Sequence, residues 1–180
     1  MTFPIRLAAI ASAASALVAA AHAAQLAAPA PNCEGETYRD FDFWVGDWEV
    51  FTPKGTKAGD NRISLEENGC LIVERWTSVT GGTGQSYNFV DLETGKWRQI
   101  WVSTAATIDY AGGLDKDGAM ALEGAITYRN GGTAPFKGWW TPQADGTVRQ
   151  YFEQYNAETK EWSAWFTGIY KRPETANDGE

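Results

Sequence analysis

The stretch "CLIVERWTS", residues 70 to 78, holds a carboxylate, Glu74, between Ile72 and Trp76 at alternate positions. In an extended chain residues two apart share a face, so Glu74 would lie among apolar side chains, partly desolvated. Desolvation disfavours the charged form and raises a carboxyl pKa, which suits an acid, a base or the partner of a basic ligand. The same alternation groups Trp97, Gln99, Trp101 and Ser103 in "KWRQIWVS", Ser86 and Asn88 in "SYNFVD", and Val148, Gln150 and Phe152 in "TVRQYFEQ". With these faces turned inward, Trp76, Trp97, Trp101, Trp140 and Phe152 make an apolar wall, and Glu74, Asn88, Gln99 and Gln150 add a few convergent polar groups. That mixture is the usual lining of a small-molecule site. Competing roles are solid core packing for the rings, an internal hydrogen-bond network for the amides, and an ion pair of Glu74 with Arg98 or Arg149. A one-residue slip in register would exchange the two faces.

The rest of the composition narrows the chemistry. The single histidine, His22, falls in a segment that reads as a cleaved signal. Without an imidazole, Ser-His-Asp and Cys-His nucleophile systems, most transition-metal sites and a proximal-His haem site are excluded in their usual form. Carboxylate, Tyr or Lys chemistry and plain binding stay open, and no cofactor is expected. "TGGTGQS", residues 80 to 86, lacks the Gly-Lys-Ser/Thr ending of a phosphate loop and reads as a hairpin loop. Fifteen basic residues against 23 acidic ones give a net charge of −8, with no visible basic patch, which argues against nucleic acid as a partner.

At the start, Arg6, the uncharged Ala-rich run Leu7 to Ala21 and "AHA" at 21 to 23 follow the order of a secretory signal, with cleavage expected after Ala23. An uncleaved anchor is the alternative, although the run is at the short end for a span. The expected product is a periplasmic or secreted protein without a stable membrane anchor. Residues 24–37 are expected to be a flexible leader, 38–172 a single domain and 173–180 a disordered tail. Two cysteines survive, Cys33 and Cys70, and an oxidising compartment favours their pairing over two free thiols.

The elements that must position these side chains are strands. From Trp48 onward, short alternating runs recur at 48–53, 61–67, 70–79, 86–91, 96–103, 107–113, 119–129, 135–141, 147–154 and 161–171. They are divided by the turn signals "ETGK", "DKDG", "NGGT", "QADG" and "NAETK", with Gly or Asn expected where φ is positive. Ten short strands in a meander have two stable solutions, a sandwich or a closed up-and-down antiparallel barrel; closure removes the open edges. "FDFWVGDWEV", residues 41 to 50, with four rings ahead of the first strand, is expected to close one end of that barrel.

"GDW", residues 46 to 48, resembles the Gly-x-Trp step that opens lipocalin-type barrels. In the wider calycin group that Trp packs near the barrel floor under a basic residue from the last strand, and Arg172 in "IYKRP" stands at the matching place. More specifically, "FDFWVGDW", "GCLIVERW", "SYNFVDLETGKWRQIWV" and "EWSAWFTGIYKR" look like a family of small exported bacterial proteins of uncharacterised function, over most of residues 38–172. The resemblance implies an all-β, calycin-like barrel and no particular reaction. Nitrobindin-like haem barrels share that architecture, but the mature chain expected after loss of His22 lacks the histidine that would bind iron.

Three functions fit these residues: a binding protein for a small apolar or aromatic molecule; a His-free lyase or isomerase using Glu74 with Asn88 and Gln99; and an envelope or glycan interaction module that presents Trp139 and Trp165.

Overall fold

The computed structural model describes residues 33–174. The expected signal peptide (1–23), most of the leader and most of the tail lie outside the described residues. Ten strands follow in order: β1 Gly46–Phe51, β2 Lys57–Glu66, β3 Leu71–Ser78, β4 Thr83–Val90, β5 Trp97–Ser103, β6 Ala106–Leu114, β7 Met120–Tyr128, β8 Thr133–Pro142, β9 Val148–Asn156 and β10 Glu161–Lys171. Each corresponds to one of the alternating runs. Every strand pairs antiparallel with its sequence neighbours, and β10 returns to β1 through Glu49↔Lys171, Val50↔Tyr170 and Phe51↔Ile169, closing the barrel. The sandwich alternative is thereby excluded: every strand has a partner on both sides, β10 meeting β1 over its last three residues.

Turn chemistry follows the sequence with one difference. In "QADG" the positive φ falls on glycine, Gly146 at 81°, whereas in "NAETK" it falls on Lys160 at 58°. Asn156 instead accepts hydrogen bonds on Oδ1 from the backbone N–H groups of Glu158 and Thr159, so the turn is held by an Asx contact.

The ring-rich stretch before β1 closes one end. Two single 3-10 turns, Glu36–Arg39 and Asp42–Trp44, carry Phe41 and Trp44 under the barrel, both fully buried. The two rings stack at 4.8 Å, and Phe41 meets Trp97 and Trp140 edge-on at 5.7 and 5.3 Å. Cys33 and Cys70 form a disulfide that ties this segment to the start of β3. Arg39 reinforces the tie, with Nη2 donating to the carbonyls of Gly69 (2.6 Å) and Cys33 (3.3 Å).

The Gly-x-Trp step has a geometric explanation. The Arg172 guanidinium lies 3.6 Å above the Trp48 ring and donates to the Val45 carbonyl at 3.0 Å. A Cβ on residue 46 would come within 1.7 Å of Arg172 Nη1, and φ there is 135°, so only glycine leaves room for the guanidinium. Removing the stack by Arg172→Ala is expected to lower stability by about 1 kcal/mol, read as a shift of the urea midpoint. An unchanged midpoint would mean the stack contributes nothing.

Candidate functional site

The inward faces are those expected from alternation. Glu74, Asn88, Gln99, Trp97, Trp140 and Gln150 are all buried, and Trp76 and Trp101 are half-buried towards the end of the barrel opposite the Phe41–Trp44 floor. Small residues make room for the rings: a Cβ at Gly84 would lie 2.1 Å from the Trp101 indole, and one at Gly59 would lie 2.6 Å from that of Trp76. The rings therefore lie against neighbouring strands instead of filling the lumen. A cavity of about 180 Å³ remains.

Five of the eight residues singled out from sequence border it: Glu74, Trp76, Gln99, Trp101 and Gln150, joined by Phe152. The other three are placed elsewhere. Trp97 and Trp140 pack against Phe41 in the floor, where Trp97 Nε1 donates to the Thr37 carbonyl at 2.9 Å. Asn88 lies behind the wall, donating to the Ile72 carbonyl and Ser86 Oγ, each at 3.0 Å, and accepting on Oδ1 from Gln99.

Ile108, Tyr110, Trp165, Phe166 and Tyr170 complete the lining and were not anticipated. The two tyrosines lie on regular alternating positions of β6 and β10, so periodicity carried a signal for them. Trp165 did not follow from alternation. The β9–β10 register shifts between Ala164 and Phe166, a bulge that turns both Trp165 and Phe166 over the cavity. Trp165 is exposed, as expected, but the bulge sets its ring over the mouth of the cavity: it contacts Phe136 and Phe152 at 5.4 and 6.1 Å and donates from Nε1 to the Tyr128 hydroxyl at 3.1 Å. Trp139 does lie on the outer side of β8, stacked on Tyr151 at 5.9 Å.

A connected polar network forms the inner end of the cavity. Asn61 Nδ2 and Ser86 Oγ donate to the two oxygens of Glu74, at 2.7 and 2.6 Å. Asn61 also donates to the Tyr170 hydroxyl at 3.0 Å, and Tyr170 donates to Gln150 Oε1 at 3.1 Å. Tyr110 donates to Gln99 Oε1. Among the described residues, no cation enters this network. Arg98 forms a two-pronged pair with Asp109 on the outside (2.8 and 2.7 Å), and Arg149 lies over the Tyr151 ring, so neither supplies the ion pair that sequence allowed for Glu74.

Burial pushes the Glu74 carboxyl up from its ordinary 4.5 to about 7, against the pull of the Ser86 and Asn61 donors. Burial, and then the nearby Glu74 charge, raise Tyr110 and Tyr170 well above the usual phenol range. Because the folded state holds the Glu74 proton more tightly than the unfolded chain, the stability this group contributes is full below about pH 4.5 and is lost as pH rises through about 7. The loss amounts to about 3 kcal/mol. Asp91, Asp109 and Asp145 are shifted the other way and act at lower pH. Urea unfolding between pH 5 and 8 is expected to show the slope in the wild type and to lose it in Glu74→Gln. A slope that survives the substitution would assign it to other groups.

Fold and lumen together define a calycin-like antiparallel barrel with an aromatic-walled internal cavity. No protein-family model and no curated protein matches the sequence. Among the described residues, no helix is long and apolar enough to cross a membrane.

Proposed function

We propose that the protein acts outside the cytoplasm as a binding protein whose barrel holds a small, largely apolar or aromatic molecule. One observation carries this reading: a cavity of about 180 Å³ with rings from Trp76, Trp101, Phe152, Trp165 and Phe166 on its walls and amide and carboxylate groups at its inner end. Apolar walls supply affinity by burial, and a few fixed polar groups orient the ligand. A cavity of about 150 Å³ accepts benzene, so this one suits a molecule of one or two rings and is too small to enclose a long acyl chain. The signal-like start of the chain and the Cys33–Cys70 disulfide support an oxidising, periplasmic or secreted location.

Trp76, Trp101 and Trp165 make intrinsic fluorescence the direct readout. Titration with indole or phenol is expected to shift or quench it, and lauric acid is not. A spectrum unmoved by every one-ring and two-ring compound tried would overturn the reading.

A second reading, a His-free lyase or isomerase, is favoured by the Glu74 carboxyl, which borders the cavity and titrates near neutrality, where general acid–base groups work best. Asn88, expected to share that role, is held behind the wall, which leaves Gln99 as the neighbouring amide. Loss of turnover with retained affinity in Glu74→Gln would separate a catalyst from a binder.

A further inference from the structure

We propose that the ligand is a compact protonated amine, its ammonium group paired with Glu74 and its carbon skeleton lying between Trp76, Trp101 and Phe152. The inference rests on the binding reading above and names the ligand class of that same cavity.

Glu74 is the one charged side chain buried among the described residues, and it borders the cavity. A buried carboxylate is ordinarily paired, because an isolated charge in an apolar interior is costly. Here four of the cations among the described residues are engaged elsewhere. Arg98 pairs with Asp109, Arg75 with Glu66 at 3.1 Å, Arg149 lies on Tyr151, and Lys137 lies 4.4 Å over the Trp162 ring. The neighbours that do reach Glu74, Asn61 and Ser86, are neutral donors, one to each oxygen. A carboxylate oxygen accepts two hydrogen bonds, so each keeps one acceptor position.

The surrounding rings point to the same ligand sign. Indole and benzene faces carry negative electrostatic potential and attract cations, most strongly in a desolvated site. A carboxylate opening on a cavity walled by Trp76, Trp101, Phe152 and Trp165 therefore repels anions, leaves its charge unpaired with a neutral ligand, and is completed by an ammonium. The remaining polar groups at this end, the hydroxyls of Tyr110 and Tyr170, donate to the Gln99 and Gln150 oxygens, which leaves Glu74 as the strongest acceptor facing the cavity.

Proton linkage gives a second signature. With its carboxyl raised to about 7, Glu74 is partly protonated in the empty protein at neutral pH, and an ammonium stabilises the ionised form. Amine affinity should rise with pH through about 7 and fall once the ligand loses its own proton. The titratable groups facing Glu74 are Tyr110 from β6 and Tyr170 from β10; both stay neutral across this range, and Asn61, Ser86, Gln99 and Gln150 do not titrate.

The test is calorimetric titration of the full chain at pH 8 with three isosteric probes: benzylamine, benzyl alcohol and benzoate. Benzylamine is expected to bind about tenfold or more tighter than benzyl alcohol, with benzoate not bound, and Glu74→Gln should abolish the preference. Equal affinity for benzylamine and benzyl alcohol would overturn the inference and leave the binding reading standing. Failure of all three to bind while indole or phenol still shifts the fluorescence would overturn the inference alone; failure of all of these would overturn both. Should Glu74→Gln not fold, the wild type decides: between pH 8 and 5.5 benzylamine affinity should fall by about tenfold or more while that of benzyl alcohol holds, and a flat benzylamine profile would overturn the inference.

Discussion

Replacing Trp44 with alanine is expected to destabilise the barrel by about 4 kcal/mol, measured as the change in unfolding free energy in urea. The ring is fully buried and makes three aromatic contacts: stacked on Phe41 at 4.8 Å, tilted against Trp140 at 5.5 Å and edge-on to Tyr170 at 6.3 Å. Its backbone carbonyl also accepts from Trp48 Nε1 at 2.8 Å, a bond that alanine keeps, so the loss reports the side chain alone. The surrounding strands are locked into a closed ring and cannot collapse into the space, which places the substitution at the severe end of large-to-small changes. Tyr170 belongs to both floor and cavity, so ligand affinity should weaken as well. A loss of about 1 kcal/mol or less would mean that the 3-10 turns cover the end of the barrel without packing into it.

Reduction of the Cys33–Cys70 bridge should have a comparable effect by another route. The cysteines are 37 residues apart, and opening a loop of that size returns about 4 kcal/mol of conformational entropy to the unfolded chain. For a domain of this size the unfolding temperature should drop by about 10 °C when a reductant is present. The bridge also restrains the segment that carries Phe41 and Trp44, helped by the Arg39 bonds to Gly69 and Cys33. Loosening it should raise fluorescence quenching of the floor tryptophans before global unfolding. Identical melting with and without reductant would show that packing of the floor, not the crosslink, holds the leading segment in place.

These two effects meet at the floor, whereas the site lies towards the other end, and the separation explains how much of the site was legible. Alternation placed Glu74, Gln99, Gln150, Trp76 and Trp101 on lumen faces because every strand of a closed antiparallel barrel has one inside and one outside. Depth along the strand was not legible. Trp97 and Trp101 are four residues apart on one face of β5, yet Trp97 meets Phe41 in the floor and Trp101 borders the cavity. Which rings become plug and which become wall depends on where the 3-10 turns before β1 insert, a contact between residues distant in sequence. Likewise Asn88 and Gln99 are neighbours across β4 and β5, but only Gln99 reaches the cavity.

Ten strands, their turns and the grouping of side chains by face were legible in the sequence because each follows from local periodicity or turn chemistry, and the Arg172–Trp48 stack was implied by the calycin resemblance; which faces point inward and the Cys33–Cys70 pairing were expectations that the fold decided. Tertiary structure alone decided the bulge that swings Trp165 over the mouth, the division of aromatic rings between floor and wall, and the separation of Glu74 from Arg98 and Arg149. Those three depend on register and on which side of a strand a charge finally lies, quantities set by the closure of β10 onto β1 and absent from any single stretch of chain.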